Sequence, residues 1–179
     1  MNRLVSSRLW LGLVIGLALG ALVGGGIFGR LAYLFASDRI EVGYSVPDFN
    51  LSSLDGKATS LIDFRGHPLI LNFWASWCDP CREEMPLLQQ VYEDLGDRIF
   101  VVGINYAESS SQVLSFIHTI GVTFPVLLDS KGEVAERYQI AGFPTTFFVS
   151  SEGKLVAYHL GELTSDALSS YLRMLGVEP

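Results

Sequence analysis

The chain has 179 residues, with 12 basic and 19 acidic side chains, a formal net charge of −7 and an apolar fraction of 49%. That length suits one domain with an appendage. Residues 1–37 contain Arg3, Arg8 and Arg30 but no acid, so the remainder has 9 basic against 19 acidic residues, a formal net of −10. Such a surface repels phosphate backbones, and no nucleic-acid partner is expected.

Residues 9–28 carry no charged or strongly polar side chain. As a helix rising about 1.5 Å per residue, this run spans the roughly 30 Å hydrocarbon core of a bilayer. It is expected to be one transmembrane helix anchoring residues 1–36. The competing reading is a cleaved signal peptide, whose apolar core is only about 7 to 15 residues and is followed by a small-residue cleavage site. Ala36 keeps that option open. Basic residues flank both ends, so the positive-inside bias is slight. The N-terminus is expected in the cytoplasm, with the rest of the chain outside it. Gly12, Gly16, Gly20 and Gly24 form a stripe on one helix face. Such a stripe suits close helix approach, here a homodimer or a partner helix, although glycine is also simply common in membrane helices.

Residues 37–45 are short, polar and mixed in charge, and are expected to be a tether. A compact domain follows over 46–179. Residues 49–51 and 58–60 flank Asp55-Gly56, a hairpin signal. Residues 60–64 predict a helical turn. Residues 69–74 are continuously apolar apart from Asn72, as in a strand buried on both faces. A helix is expected from about Cys78 to Leu95, with Met85, Leu88, Val91, Tyr92 and Leu95 as its apolar stripe and a kink at Pro86. Residues 99–104 predict a second buried strand. Ser109-Ser110-Ser111 caps a helix that runs to Ile120 and stops at Gly121. Further strands are expected at 126–128, 145–149 and 155–160, with helices at 133–138 and from about Thr164 to Gly176. Strands alternating with helices, then a terminal strand pair, indicate an α/β fold with a central mixed sheet flanked by helices.

Cys78 and Cys81 are the only cysteines. They occupy a strand-to-helix junction in Trp77-Cys78-Asp79-Pro80-Cys81, and such a pair can cycle between dithiol and disulfide. Cys78 lies at the expected helix N-terminus, where backbone N–H groups and the macrodipole favour a thiolate. It is therefore the expected nucleophile. Cys81, one turn into the helix and more buried, is the expected resolving thiol. Pro80 fits the first turn without losing a hydrogen bond. Asp79 places a carboxylate beside the thiolate, which disfavours it and leans the pair toward a reductant; the alternative is a solvent-facing acid of little effect. Glu84, one turn beyond Cys81, is either a proton acceptor for the resolving thiol or a plain first-turn acid. Trp77 is expected to cover the cysteine loop, and Trp74 to pack in the core. The Phe143-Pro144-Thr145-Thr146 run opens a strand. A cis bond at Pro144 would expose the Phe143 backbone to a peptide substrate. Trp77, Asp79, Pro80, Phe143 and Pro144 are thus the candidate substrate-facing residues.

Zinc would need further ligands that the sequence does not offer at the usual spacing, and a c-type haem site would need histidine where Arg82 stands. No cofactor beyond the Cys78–Cys81 pair is expected.

Taken together, residues 73–81 and 143–147 resemble the thioredoxin superfamily. More narrowly, the chain resembles the TlpA/ResA group of membrane-anchored extracytoplasmic thiol–disulfide oxidoreductases. Val46-Pro47-Asp48-Phe49, Arg82-Glu83-Glu84-Met85-Pro86 and the segment 107–121 also match that group. The resemblance covers residues 44–176. It implies a thioredoxin-like fold with an N-terminal hairpin extension, Cys78 as nucleophile, Cys81 as resolver, Pro144 as a cis proline facing them, and Glu84 as the acid that tunes the thiols. Asn72 stands where thioredoxin has a buried aspartate, so any carboxylate role falls to Glu84 or Asp79. The implied function is extracytoplasmic reduction of protein disulfides, with cytochrome c maturation as the leading pathway. Apocytochrome c would be a substrate and a membrane protein of the DsbD/CcdA type the electron donor. Two rivals stand beside it. A thiol peroxidase of the peroxiredoxin type shares the Pro-Asp-Phe entry but uses a lone cysteine after Thr-X-X. A Cu(I) carrier would need a histidine such as His118 or His159 near the cysteines.

Overall fold

The computed structural model describes residues 40–178. Among them no helix is long and apolar enough to cross a membrane. The expected anchor at 9–28 and its glycine stripe lie outside the described residues.

Seven strands form one mixed sheet, β1 (Asn50–Ser53), β2 (Ala58–Ser60), β3 (Leu69–Trp74), β4 (Phe100–Tyr106), β5 (Val126–Asp129), β6 (Thr145–Val149) and β7 (Leu155–Leu160), in the order β2-β1-β5-β4-β3-β6-β7. The helices are α1 (Asp79–Leu95), α2 (Ser110–Ile120), α3 (Glu133–Arg137) and α4 (Ser165–Met174). β3 runs parallel to β4 and antiparallel to β6, and β4 runs parallel to β5. The β1–β2 hairpin adds to the far edge of β5. This is the expected mixed sheet with its N-terminal hairpin.

All six residues of β3 are buried, because the strand is central and covered on both faces. Its side chains alternate between two cores. Ile70 and Trp74 join the core beneath α1, α2 and α4. Leu69, Leu71 and Phe73 join the opposite core, with Phe49, Leu61, Val134, Tyr138 and Phe147. The same parity turns Asn72 toward α1. Trp74 is fully buried and stacks on Phe116 at 5.2 Å, as expected of a packing residue.

The local signals act where they were read. A 3-10 turn spans Leu61–Phe64, and the Ser60 N–H donates to Asp63 at 2.8 Å. Ser109 caps α2, and Gly121 ends it in the left-handed region at φ 74°. Thr164 caps α4. α1 passes through Pro86 without ending. The chain is held on the domain before residue 46: the Gly43 N–H donates to the Leu155 carbonyl, and the Leu155 N–H to the Tyr44 carbonyl, both at 2.8 Å.

Candidate redox site

β3 ends at Trp74, and the chain turns through Ala75–Cys78, where the Cys78 N–H donates to the Ala75 carbonyl at 3.2 Å. Cys78 is the N-cap of α1, and its sulfur accepts the Cys81 N–H at 3.2 Å. The two sulfurs are joined as a disulfide. Cys78 retains 6% exposure and Cys81 none, the expected asymmetry. A thiolate released at Cys78 would face the unpaired N–H groups of the first helical turn. Asp79 and Pro80 fill that turn and are exposed.

Trp77 is 63% exposed, and its ring meets Phe143 edge-on at 5.7 Å. Phe143 also contacts Tyr106 at 5.0 Å. The Phe143–Pro144 bond is cis. The Thr145 hydroxyl donates to the Gly142 carbonyl at 2.7 Å, which ties off this loop. A groove of about 660 Å³ lies alongside, lined by Trp77, Tyr106, Phe143, Ala135, Ile140 and Glu136 among others. The fold thus joins two loops that are far apart in sequence. Of the five candidate substrate-facing residues, Trp77 and Phe143 touch each other, Asp79 and Pro80 sit beside Cys78, and Pro144 is buried in the loop.

Glu84 is 1% exposed. Its carboxylate accepts the Asn72 side-chain N–H at 2.7 Å and the Leu163 backbone N–H at 2.9 Å. Asn72 also donates to the Thr146 hydroxyl at 2.9 Å. Burial pushes the Glu84 carboxyl up to about 7; the two hydrogen bonds oppose that rise, and the nearby Glu162 carboxylate adds to it. A carboxyl with that affinity exchanges protons near neutrality, one helical turn from Cys81. Asn72 thus donates to Glu84, one of the two acids to which the carboxylate role was expected to fall, the other being Asp79. Thr146 and Leu163 were missed, because they come from β6 and from the loop before α4.

A second buried carboxylate, Glu108, was also missed. It accepts from the Ser76 N–H at 2.7 Å, from the Ser76 hydroxyl, and from the Asn105 side chain at 2.7 Å. Its one trace in the sequence is an acid placed between an apolar strand and a helix cap.

Among the described residues no group of three or more His, Cys, Asp or Glu side chains could hold a metal ion. His159 is engaged elsewhere, with its ring nitrogens 3.3 Å from the Tyr171 hydroxyl and 3.2 Å from the Glu162 carbonyl.

The model of the AhpC/TSA family matches residues 42–158. Thioredoxin-like protein YneN of Bacillus subtilis is 38% identical over 136 residues, covering 74% of this chain and 79% of that protein. Thiol-disulfide oxidoreductase ResA of Bacillus cereus is 31% identical over 170 residues, covering 94% and 97%. A crystal structure from Chlorobium tepidum, assigned as a thiol:disulfide interchange protein DsbE, superposes with a TM-score of 0.72 at 32% identity, covering 77% of this chain and all of that one. The mixed α/β sheet described above is therefore the thioredoxin-like fold, and family members act on protein disulfides without a cofactor. The chain belongs to the AhpC/TSA family and is a ResA-type thioredoxin-like thiol–disulfide oxidoreductase.

Proposed function

We propose that this oxidoreductase reduces protein disulfides outside the cytoplasm, anchored by the helix expected at residues 9–28. The observation that carries the roles of the two thiols is Cys78, which caps α1 with its sulfur on the Cys81 N–H, while Cys81 lies sealed behind it; the reductive direction rests on Asp79 beside Cys78. The Cys78 thiolate attacks one sulfur of a substrate disulfide. That bond breaks, a mixed disulfide forms, and the first substrate thiolate leaves and takes up a proton. The Cys81 thiol then gives its proton to Glu84 and attacks the Cys78 sulfur. The second substrate thiolate leaves and takes up a proton as Glu84 releases the one from Cys81, and the Cys78–Cys81 disulfide closes. Two electrons and two protons pass to the substrate. A membrane dithiol donor of the DsbD/CcdA type returns them.

The groove beside Trp77 and Phe143 suits an extended peptide lying against the Pro144 loop. Substrates of cytochrome c maturation, apocytochrome c first, are the proposed class, and the glycine stripe of the anchor is the proposed homodimer face. Insulin-disulfide reduction should vanish in Cys78→Ala. The Cys81→Ala variant should hold a mixed disulfide with the natural substrate, which mass spectrometry would identify. Turnover retained without Cys78 would overturn the assignment. Peroxide consumption with an ordinary thiol donor would indicate the thiol peroxidase instead; the vicinal pair and Trp77 before its first cysteine argue against that reading. A Cu(I) carrier would bind the metal stoichiometrically as the dithiol.

A further inference from the structure

We infer that Glu108 is a positioning residue that holds the nucleophile's turn in place through Ser76, an inference that rests on Cys78 being the attacking thiol. Ser76 is the second residue of the turn closed by the Cys78 N–H and the Ala75 carbonyl. Both polar groups that Ser76 can aim outward from the turn, its N–H and its hydroxyl, end on the two oxygens of one carboxylate. That carboxylate sits 32 residues further along the chain, two residues past the end of β4.

Three features show that the local structure is arranged around this contact. Glu108 is only 9% exposed, so its carboxylate depends on protein donors for the hydrogen bonds that water would otherwise supply. The preceding residue, Ala107, takes φ 55°, a left-handed conformation that a residue with a β-carbon rarely adopts. Its N–H is held there by the Asp129 carbonyl at 2.9 Å, and the bend carries Glu108 off the line of β4. Asn105, fully buried, gives its N–H to Glu108 at 2.7 Å while its own side-chain oxygen has no hydrogen-bond partner. A buried acceptor left unpaired is costly. The hydrogen bond to Glu108 therefore orients the Asn105 side chain.

The consequence concerns the open form of the site. When the disulfide is reduced, the covalent link between Cys78 and Cys81 is gone, and the Ala75–Cys78 turn is kept in register by its hydrogen bonds and by the packing of Ala75 in the core. Glu108 accepts two of them from the loop that follows β4. A turn so held keeps the Cys78 sulfur at the N-terminus of α1 and within reach of Cys81 through the mixed disulfide. Small misplacements of reacting groups carry large rate penalties.

The test compares Glu108→Ala, Glu108→Gln and Ser76→Ala in the described thiol–disulfide assay, with melting temperature measured alongside. Glu108→Ala should lower kcat for insulin reduction about tenfold, with KM changed by less than about twofold. Glu108→Gln should recover most of that loss: an oxygen at the Oε2 position still accepts the Ser76 N–H and the Asn105 side chain, and the amide NH2 at the Oε1 position can donate to the Ser76 hydroxyl once that hydroxyl turns to accept. Should Glu108→Ala not fold, Ser76→Ala carries the test, because it removes only the hydroxyl of a half-buried loop residue; kcat should then fall about threefold. A lower melting temperature with unchanged kcat, a rise in KM alone, or a glutamine variant as slow as the alanine one would each overturn the proposal. Cys78→Ala separates the two readings. Turnover without Cys78 defeats the nucleophile assignment, whereas normal turnover in Glu108→Ala with Cys78 still essential defeats only the positioning role.

Discussion

Glu84→Gln isolates the effect of burying one carboxyl. Burial carries the group from its ordinary value of 4.5 to about 7. At about 1.4 kcal/mol per pH unit, its ionisation costs the folded chain about 3 kcal/mol relative to the unfolded one. The sign follows from the direction. The folded state holds the proton more tightly, so this contribution to stability is fully present below about pH 4.5. It falls as pH rises and is gone above about pH 7. Asp55, Asp63 and Glu152 are shifted the other way, below their ordinary values, by hydrogen bonds from Ser53, Ser60 and Ser150 respectively. Their contributions are lost as pH falls below about 4, and they are common to both proteins. Glutamine cannot ionise, and its altered hydrogen bonds to Asn72 and Leu163 add an offset that does not vary with pH. Urea unfolding of the oxidised proteins, in which neither cysteine titrates, should therefore show wild type losing about 3 kcal/mol against the variant between pH 4.5 and 7, at equal m-values. Parallel stability curves across that window would refute a desolvated carboxyl at this position. In the reduced enzyme the same substitution should slow resolution at neutral pH, because the proton of Cys81 loses its acceptor.

Other substitutions probe the frame around the site. Trp77→Ala removes the exposed ring that meets Phe143; since an aromatic pair is worth about 0.5–1.5 kcal/mol, KM for a protein disulfide should rise several-fold with little change in melting temperature. Gly103→Ala would place a β-carbon 2.7 Å from the Trp74 indole nitrogen and 3.2 Å from the Phe124 ring, and should cost about 1–3 kcal/mol in urea unfolding. Phe73→Ala empties the place between Tyr138 and Phe147 and should cost about 3–5 kcal/mol.

Much of this protein was legible along the chain. The continuous apolar run at β3, the three-and-four spacing of α1, the serine and threonine caps of α2 and α4, and the glycine that ends α2 are each decided by neighbours within a few residues. The same holds for the cysteine pair: Trp77 to Cys81 carries its own chemistry because the sulfurs are one helical turn apart. Glu84 could be named as an acid near the site, since helical spacing alone puts it next to Cys81.

What tertiary structure decided was the environment of those groups. The sheet order puts β6 beside β3, so that Thr146 faces Asn72 across the ladder, and the approach to α4 brings the Leu163 N–H to Glu84 from 79 residues away. Burial under those neighbours turns an ordinary glutamate into one that titrates near neutrality, and the two donors hold the rise in check. In the same way β4 lies beside β3, and the bend at Ala107 delivers Glu108 to Ser76. Hydrophobic periodicity and capping act over one or two turns of chain and can be read in order. Burial of a charge, and the donors that meet it, depend on which strands become neighbours, and that is settled only when the whole sheet closes.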